Sequence, residues 1–297
     1  MNFREEQLKN KSKTYLLLAL FGALAWLVFY AGLTYFGAGT KNIIPMAVGF
    51  ALITTWGSYY FSDSLVLKMT GAKEIQESDN PKLFEIVREV CAKSGLPMPK
   101  VAIVNDKAPN AFATGRNPDK ALIAFTTGIL DAMTKDELTG VTAHEMSHVG
   151  NRDTLVSAIA ATTAGAIALL SDFIMRMMWF GGRRDDRGSS NPLILAASFI
   201  VLIMAPIAAM LLRSAISRRR EALADATAVQ FTQNPKGLRE ALEVLQANSS
   251  VVQQRSTAVA HLWIESPLDA SAVSKLFSTH PPIEERIATL RAIDRKS

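Results

Sequence analysis

Residues 144–148 read His144-Glu145-Met146-Ser147-His148, in a chain of 297 residues that holds only four histidines. On a helix, positions four apart project from one face, so the imidazoles of His144 and His148 can converge on a single metal ion. Glu145 then stands beside the position that such a site leaves open, where it can take a proton from a water on the metal. Chance alone yields this pattern in on the order of one chain in a hundred, so its surroundings decide. They favour a helix. Thr134-Lys135-Asp136-Glu137 has the capping-box form, Leu138, Val141, Thr142 and Met146 supply a partly apolar face, and no proline interrupts before Asp153.

Two neutral imidazoles leave the metal's charge uncompensated, which calls for an acidic ligand on a second helix. The stretch Ser217-Arg218-Arg219-Arg220-Glu221-Ala222-Leu223-Ala224-Asp225 offers Glu221. Asp225, one helical turn on, can accept a hydrogen bond from the back nitrogen of a ligand histidine and so fix its tautomer. Taken alone, the stretch also reads as a solvated helix face on which Arg218 or Arg220 pairs with Glu221 or Asp225. Its conjunction with His144 and His148 favours the ligand reading.

Three motifs, HEMSH at 144–148, SRRREALADA at 217–226 and Phe277-Ser278-Thr279-His280-Pro281-Pro282, resemble in order and spacing those of the HtpX membrane endopeptidases, relatives of the CAAX prenyl proteases. The resemblance covers nearly the whole chain. It implies a gluzincin-type zinc endopeptidase with one zinc ion per chain, set in a bacterial inner membrane with its active site toward the cytoplasm. A part in the stress response and in quality control of damaged membrane proteins is implied as well. A hydrolase of this kind needs a donor for the oxyanion that forms on the attacked carbonyl. For that role the resemblance singles out His280, and it also marks Arg286, six positions on. Read from the residues alone, Thr279-His280-Pro281-Pro282 is equally a helix start with proline at the first position. Both readings stand, and His261 has no supporting motif.

Before the HExxH stretch come short strand-like runs at Lys100–Val104, Ala111–Thr114 and Leu122–Phe125, bounded by Asn, Pro and Gly turn signals. Asn110-Ala111-Phe112-Ala113 resembles the edge strand that receives an extended substrate backbone in zinc proteases of this type. An ordinary structural strand after a turn is the competing reading.

Composition bounds the rest. Hydrophobic residues make up 49% of the chain and charged ones 20%, too apolar for an ordinary soluble enzyme and too charged for a purely membrane-embedded one. Tyr15 to Phe36 is an uncharged run of 22 residues and Ile43 to Phe61 a second, joined by the short link Gly37–Asn42. Both are long enough to cross a bilayer. No small-residue cleavage site follows the first, which reads as a retained anchor. Leu193 to Leu212 is a third uncharged run. Leu155 to Phe180 is interrupted by Asp172 and Arg176, which are four apart and can pair, with Arg176 reaching toward the interface.

Arg4, Lys9, Lys11 and Lys13 before the first span and Lys68 and Lys73 after the second, against Lys41 in the link, put the base of the first hairpin in the cytoplasm. Arg152, Arg213 and Arg218–Arg220 at the base of the second hairpin outweigh Arg183, Arg184 and Arg187 at its tip. All the candidate ligands then share one side with both termini. A pI near 9.3 is read as attraction to anionic lipid headgroups rather than to nucleic acid. The single cysteine, Cys91, falls on the apolar face of a helix after Pro81, with Leu83, Val87 and Val90.

The expected fold is therefore mainly α and integral to the membrane, with four transmembrane helices in two hairpins and a zincin-like α+β catalytic domain holding a small sheet. Residues 1–62 form a tail and the first hairpin, 63–153 and 213–297 the two pieces of the catalytic domain, and 154–212 the second hairpin. The HExxH helix is expected to run into the third span, and the fourth span into the Glu221 helix. The expected partners are unfolded or membrane-protein polypeptides and the lipid bilayer. A membrane scaffold or holdase that binds zinc without cutting, and a prenyl-peptide processing enzyme, are the competing functions. Cobalt or manganese fits the same ligands.

Overall fold

The computed structural model describes residues 16, 19–20, 22–33, 66–180, 192–248, 263–264 and 282–294, with single helical positions at 45, 49, 53, 57, 60 and 64. Within its helices the side chains at 156–163, 177–180, 192, 194–195, 198 and 210–219 lie outside that description. Most of the second expected span, part of the first, and His261 and His280 fall outside the described residues.

Helix α1 covers residues 22–33 and α2 residues 66–70. Strand β1 (Lys73–Glu74) leads to α3 (Pro81–Ser94), followed by β2 (Lys100–Val104), β3 (Ala111–Thr114), β4 (Leu122–Thr126), α4 (Thr127–Ala132) and α5 (Lys135–Gly150). Two long helices follow, α6 (Asp153–Phe180) and α7 (Pro192–Thr232), then α8 (Pro235–Ala247) and α9 (Ile283–Asp294).

The four strands form one mixed sheet in the order β1-β2-β4-β3, with β2 parallel to β4 and β3 antiparallel on the outer side of β4. The runs read from the sequence coincide with β2, β3 and β4, the last longer by Thr126. β1 is a two-residue exposed strand that carries no periodic signal.

Helix α3 forms where its pattern directs. The Asn80 side chain accepts from Leu83 N–H at 3.2 Å, Pro81 occupies the first turn, and Gly95 ends the helix in the left-handed conformation at φ 70. Leu83, Ile86, Val87, Val90 and Cys91, at helical spacing, are its buried face. Burial pushes the Cys91 thiol up to about 11, as befits a packing residue.

Helix α5 begins with the capping box expected at Thr134 and Glu137. Thr134 N–H donates to Glu137 Oε2 at 2.6 Å, and the Thr134 hydroxyl oxygen accepts from Glu137 N–H at 3.4 Å. It is buried on nearly every side, which requires close approach by its neighbours α3, α7 and α8. Gly140 provides it, since a Cβ there would come within 2.6 Å of Leu238 N on α8.

The largest buried cluster draws on Val141, Met146 and Val149 of α5, Val87 and Val90 of α3, Ile123 and Phe125 of β4, Ala228 of α7, Leu238 and Leu242 of α8, and Leu290 of α9. A separate cluster joins Val28 of α1, Ile167 and Ile174 of α6, and Leu202 and Ala209 of α7.

The long helices differ from expectation at one joint. α7 does run unbroken from the apolar stretch at 193–212 through Glu221 and Asp225. α5 does not continue into α6, because Asn151 caps it and Arg152 adopts φ 60, turning the chain before Asp153. Among the described residues, no helix is long and apolar enough to cross a membrane. Leu169 and Phe173 of α6 and Leu193, Ile200 and Met204 of α7 nonetheless stand exposed on the outside.

Candidate metal centre

His144 and His148 stand one turn apart on α5 with their rings nearly perpendicular, at 87°, and their Nε2 atoms 3.3 Å apart. Glu221, from the C-terminal third of α7, meets both: its Oε2 lies 3.5 Å from His144 Nε2 and its Oε1 3.5 Å from His148 Nε2. One ligand atom from each of the three residues lies within 4.8 Å of the others. The packing of α5 against α7 brings these groups together, and the helical spacing within α5 aims both imidazoles at the same point.

Each histidine turns its other nitrogen to a carboxylate. His144 Nδ1 is 2.9 Å from Asp225 Oδ1, and His148 Nδ1 is 3.1 Å from Asp153 Oδ2. With Nδ1 donating to a carboxylate, the Nε2 lone pair of each ring is left for a metal. Two imidazole nitrogens and a carboxylate oxygen form the donor set of a hydrolytic zinc site, so the residues present fit that ion.

Both carboxylates have an arginine behind them. Arg286 of α9 grips Asp225 through Nε and Nη2, and donates from Nη1 to the Ile264 carbonyl at 3.3 Å. Arg220 donates from Nη1 to the Asp153 carbonyl at 3.2 Å, with its Nε 3.9 Å from Asp153 Oδ1. The marked residue Arg286 thus sits in the interior behind His144. Glu145 is also buried, and Arg286 feels its charge.

Burial and the Arg286 charge lower the proton affinity of His144, but the bonds to Asp225 and Glu221 outweigh them and raise its pKa to about 9. Burial pushes Asp225 up. The Arg286 charge and the bond from His144 prevail and hold it well below the usual carboxylate range. For Arg286, burial is overcome by Asp225, Glu221 and Glu145, and the guanidinium stays firmly protonated.

Asn110, Ala111, Phe112 and Ala113 lie at the outer strand of the sheet, and all four are buried. Thr126 N–H donates to the Asn110 carbonyl at 2.9 Å, so the antiparallel alternation turns the backbone groups of Ala111 and Ala113 away from β4. The Ala111 positions are taken within the chain: its N–H donates to Asn110 Oδ1 at 3.0 Å, and its carbonyl accepts from Ile264 N–H at 2.9 Å. Trp263, fully buried, stands edge-on to Phe112 with ring centroids 4.8 Å apart.

Sequence reasoning missed Asp153, Arg220 as its partner, and the Trp263–Ile264 segment. For Asp153 a signal existed in its place three residues beyond the end of α5. A helical pattern reads a residue five positions from His148 as pointing elsewhere, and only the Arg152 turn brings it back. Nothing local marks Ile264, whose partners lie more than twenty residues away in either direction.

The model of peptidase family M48 matches residues 77–294. The chain is 44% identical over 287 residues to a protease HtpX homolog of Syntrophobacter fumaroxidans, spanning 96% of this chain and 99% of that one. It is 45% identical over 288 residues to a protease HtpX homolog of Desulfatibacillum aliphaticivorans, spanning 95% and 89%. In fold it is similar to the crystal structure of S. mikatae Ste24p, with a TM-score of 0.54 at 18% identity over 95% of this chain and 67% of that one. A His-His-Glu cluster on two packed helices, with His144 and Glu221 buried and His148 partly so, makes the chain, with this extent of likeness, a member of peptidase family M48.

Proposed function

We propose that the chain is a membrane-embedded, zinc-dependent endopeptidase that hydrolyses peptide bonds of misfolded or damaged membrane proteins at the cytoplasmic face. The observation that carries this reading is the convergence of His144 Nε2, His148 Nε2 and the Glu221 carboxylate, with a glutamate next to His144 on the same helix. His144, His148 and Glu221 would hold one zinc ion. Its chemistry there is Lewis-acid polarisation of the scissile carbonyl and acidification of the attacking water. Glu145 accepts the proton of that water and returns it to the leaving amine. Asp225 and Arg286 keep His144 in one tautomer and one orientation. His280 is assigned to the developing oxyanion.

Membrane embedding is supported by the four apolar runs and by the exposed Leu169, Phe173, Leu193, Ile200 and Met204 on α6 and α7, side chains that a lipid environment accommodates better than water does. The basic residues at the bases of the hairpins support the cytoplasmic orientation. A catalytic domain assembled from 63–153 and 213–297 is supported by the core, which takes side chains from both pieces. The outward-facing backbone of Ala113 is the place for an extended substrate strand, since the Ala111 carbonyl is already engaged.

The test compares wild type with Glu145→Gln, purified in detergent, for bound zinc and for cleavage of casein. The expected result is about one zinc per chain in both and cleavage only by the wild type. Zinc in both with no cleavage by either would favour a zinc-binding scaffold. A Glu145→Gln protein that cuts normally removes the general-base assignment.

A further inference from the structure

His144 owes its orientation to Asp225, a residue that helical spacing from Glu221 makes visible. His148 has a partner that no spacing announces. On an unbroken helix, position 153 stands about 140° around the axis from position 148, and the two side chains diverge. Here α5 stops at Gly150, and Arg152 takes a left-handed conformation at φ 60, which a residue bearing a side chain adopts only at a cost. The turn lays Asp153 back along α5, so that its Oδ2 comes within 3.1 Å of His148 Nδ1. The Asp153 side chain is 2% exposed, and Arg220, the neighbour of Glu221 on α7, donates to its backbone carbonyl. Each imidazole is therefore held by a buried carboxylate with an arginine against it.

We infer that Asp153 is the positioning residue of His148 and that the strained turn at Arg152 serves to deliver it. The inference rests on the reading of His148 as a metal ligand. By accepting from Nδ1–H, Asp153 fixes the tautomer and orientation of His148 and keeps its Nε2 lone pair directed at the metal. It does not touch the reacting groups. Because Asp153 is also the first residue of α6, the second ligand histidine is oriented from the helix that leads away from the catalytic core. The first is oriented from the helix that returns to it.

The experiment measures zinc retention on the full-length protein in detergent, by competition with a chelator, together with the thermal unfolding of the zinc-free protein. Asp153→Ala is expected to loosen zinc about ten- to a hundredfold, the loss usual when such a partner is removed. Asp153→Asn keeps a carbonyl acceptor for Nδ1–H and is expected to lose distinctly less, while the zinc-free proteins unfold alike. An Asp153→Ala protein that holds zinc as tightly as wild type overturns the inference. So does an equal loss in both variants that merely follows their unfolding temperatures. The readout needs no cleavage, so failure of the peptidase reading leaves it intact. A wild type that binds no zinc sinks the ligand set and this inference with it.

Discussion

Arg286 holds Asp225 by two parallel hydrogen bonds, Nε to Oδ2 at 2.9 Å and Nη2 to Oδ1 at 2.7 Å, while the same Oδ1 lies 2.9 Å from His144 Nδ1. All three groups are sealed from water. A bidentate charged pair fixes the carboxylate in a plane as well as in position, which a single contact does not. Arg286→Ala leaves a carboxylate buried without its countercharge, and is expected to cost about 3–5 kcal/mol of stability. Arg286→Lys keeps the charge without the fork and should fall between. Urea unfolding of the chelated protein checks both, and an Arg286→Ala protein as stable as wild type contradicts the account.

The raised pKa of His144 gives the metal-free protein a pH dependence of definite sign. The folded chain binds this proton more tightly than the unfolded chain, whose histidine has the ordinary value of 6.5. The resulting stability is fully present below that value and is lost as pH rises through about 9. On the proposed reading zinc would take Nε2 and displace the same proton, so its affinity should climb with pH across that window. Calorimetric zinc titrations in buffers of different ionisation enthalpy should report proton release near neutrality. Buffer-independent heats there would argue against a protonated His144 in the free site.

The contact of α5 with α8 tolerates no side chain at Gly140. A Cβ there would meet the backbone of Leu238 at 2.6 Å and of Gly237 at 2.9 Å, and backbone cannot move aside as a flexible side chain does. Gly140→Ala should therefore destabilise the protein by at least about 1–3 kcal/mol. Because Gly140 lies four residues before His144, looser zinc binding should accompany the loss. Thermal unfolding and zinc content measured together decide it, and normal values for both would show that the helices separate freely.

Trp263 fastens the segment whose next residue joins the sheet edge to the Arg286–Asp225 pair behind His144. Ile264 gives its N–H to Ala111 and takes a hydrogen bond from Arg286 at its carbonyl. Removing a fully buried indole by Trp263→Ala is expected to cost about 3–5 kcal/mol and to expose the Ile264 amide to hydrogen exchange. Undiminished protection of that amide would show that the backbone bonds alone keep the segment in place.

Much of this architecture was legible in the chain itself. His144 and His148 share a face because helices repeat every 3.6 residues, and the Thr134–Glu137 box starts that helix because its first amides need acceptors. The strands at 100–104, 111–114 and 122–126 and the long helix through Glu221 follow from local pattern in the same way. Asp225, one turn from Glu221, was foreseeable as a partner for a ligand histidine on the same ground, though which histidine it meets was not.

The tertiary structure decided the rest, because those contacts join residues that no local period relates. Arg286 reaches Asp225 across 61 residues of chain and Ile264 reaches Ala111, pairings that exist only once α9 and the 263–264 segment pack against the core. Asp153 is the instructive intermediate, close to His148 in sequence yet turned from it by any regular helix. One left-handed residue, Arg152, reverses that direction. Sequence determines the chemistry each element carries through short-range geometry, whereas the direction in which two elements meet depends on the packing of all the others.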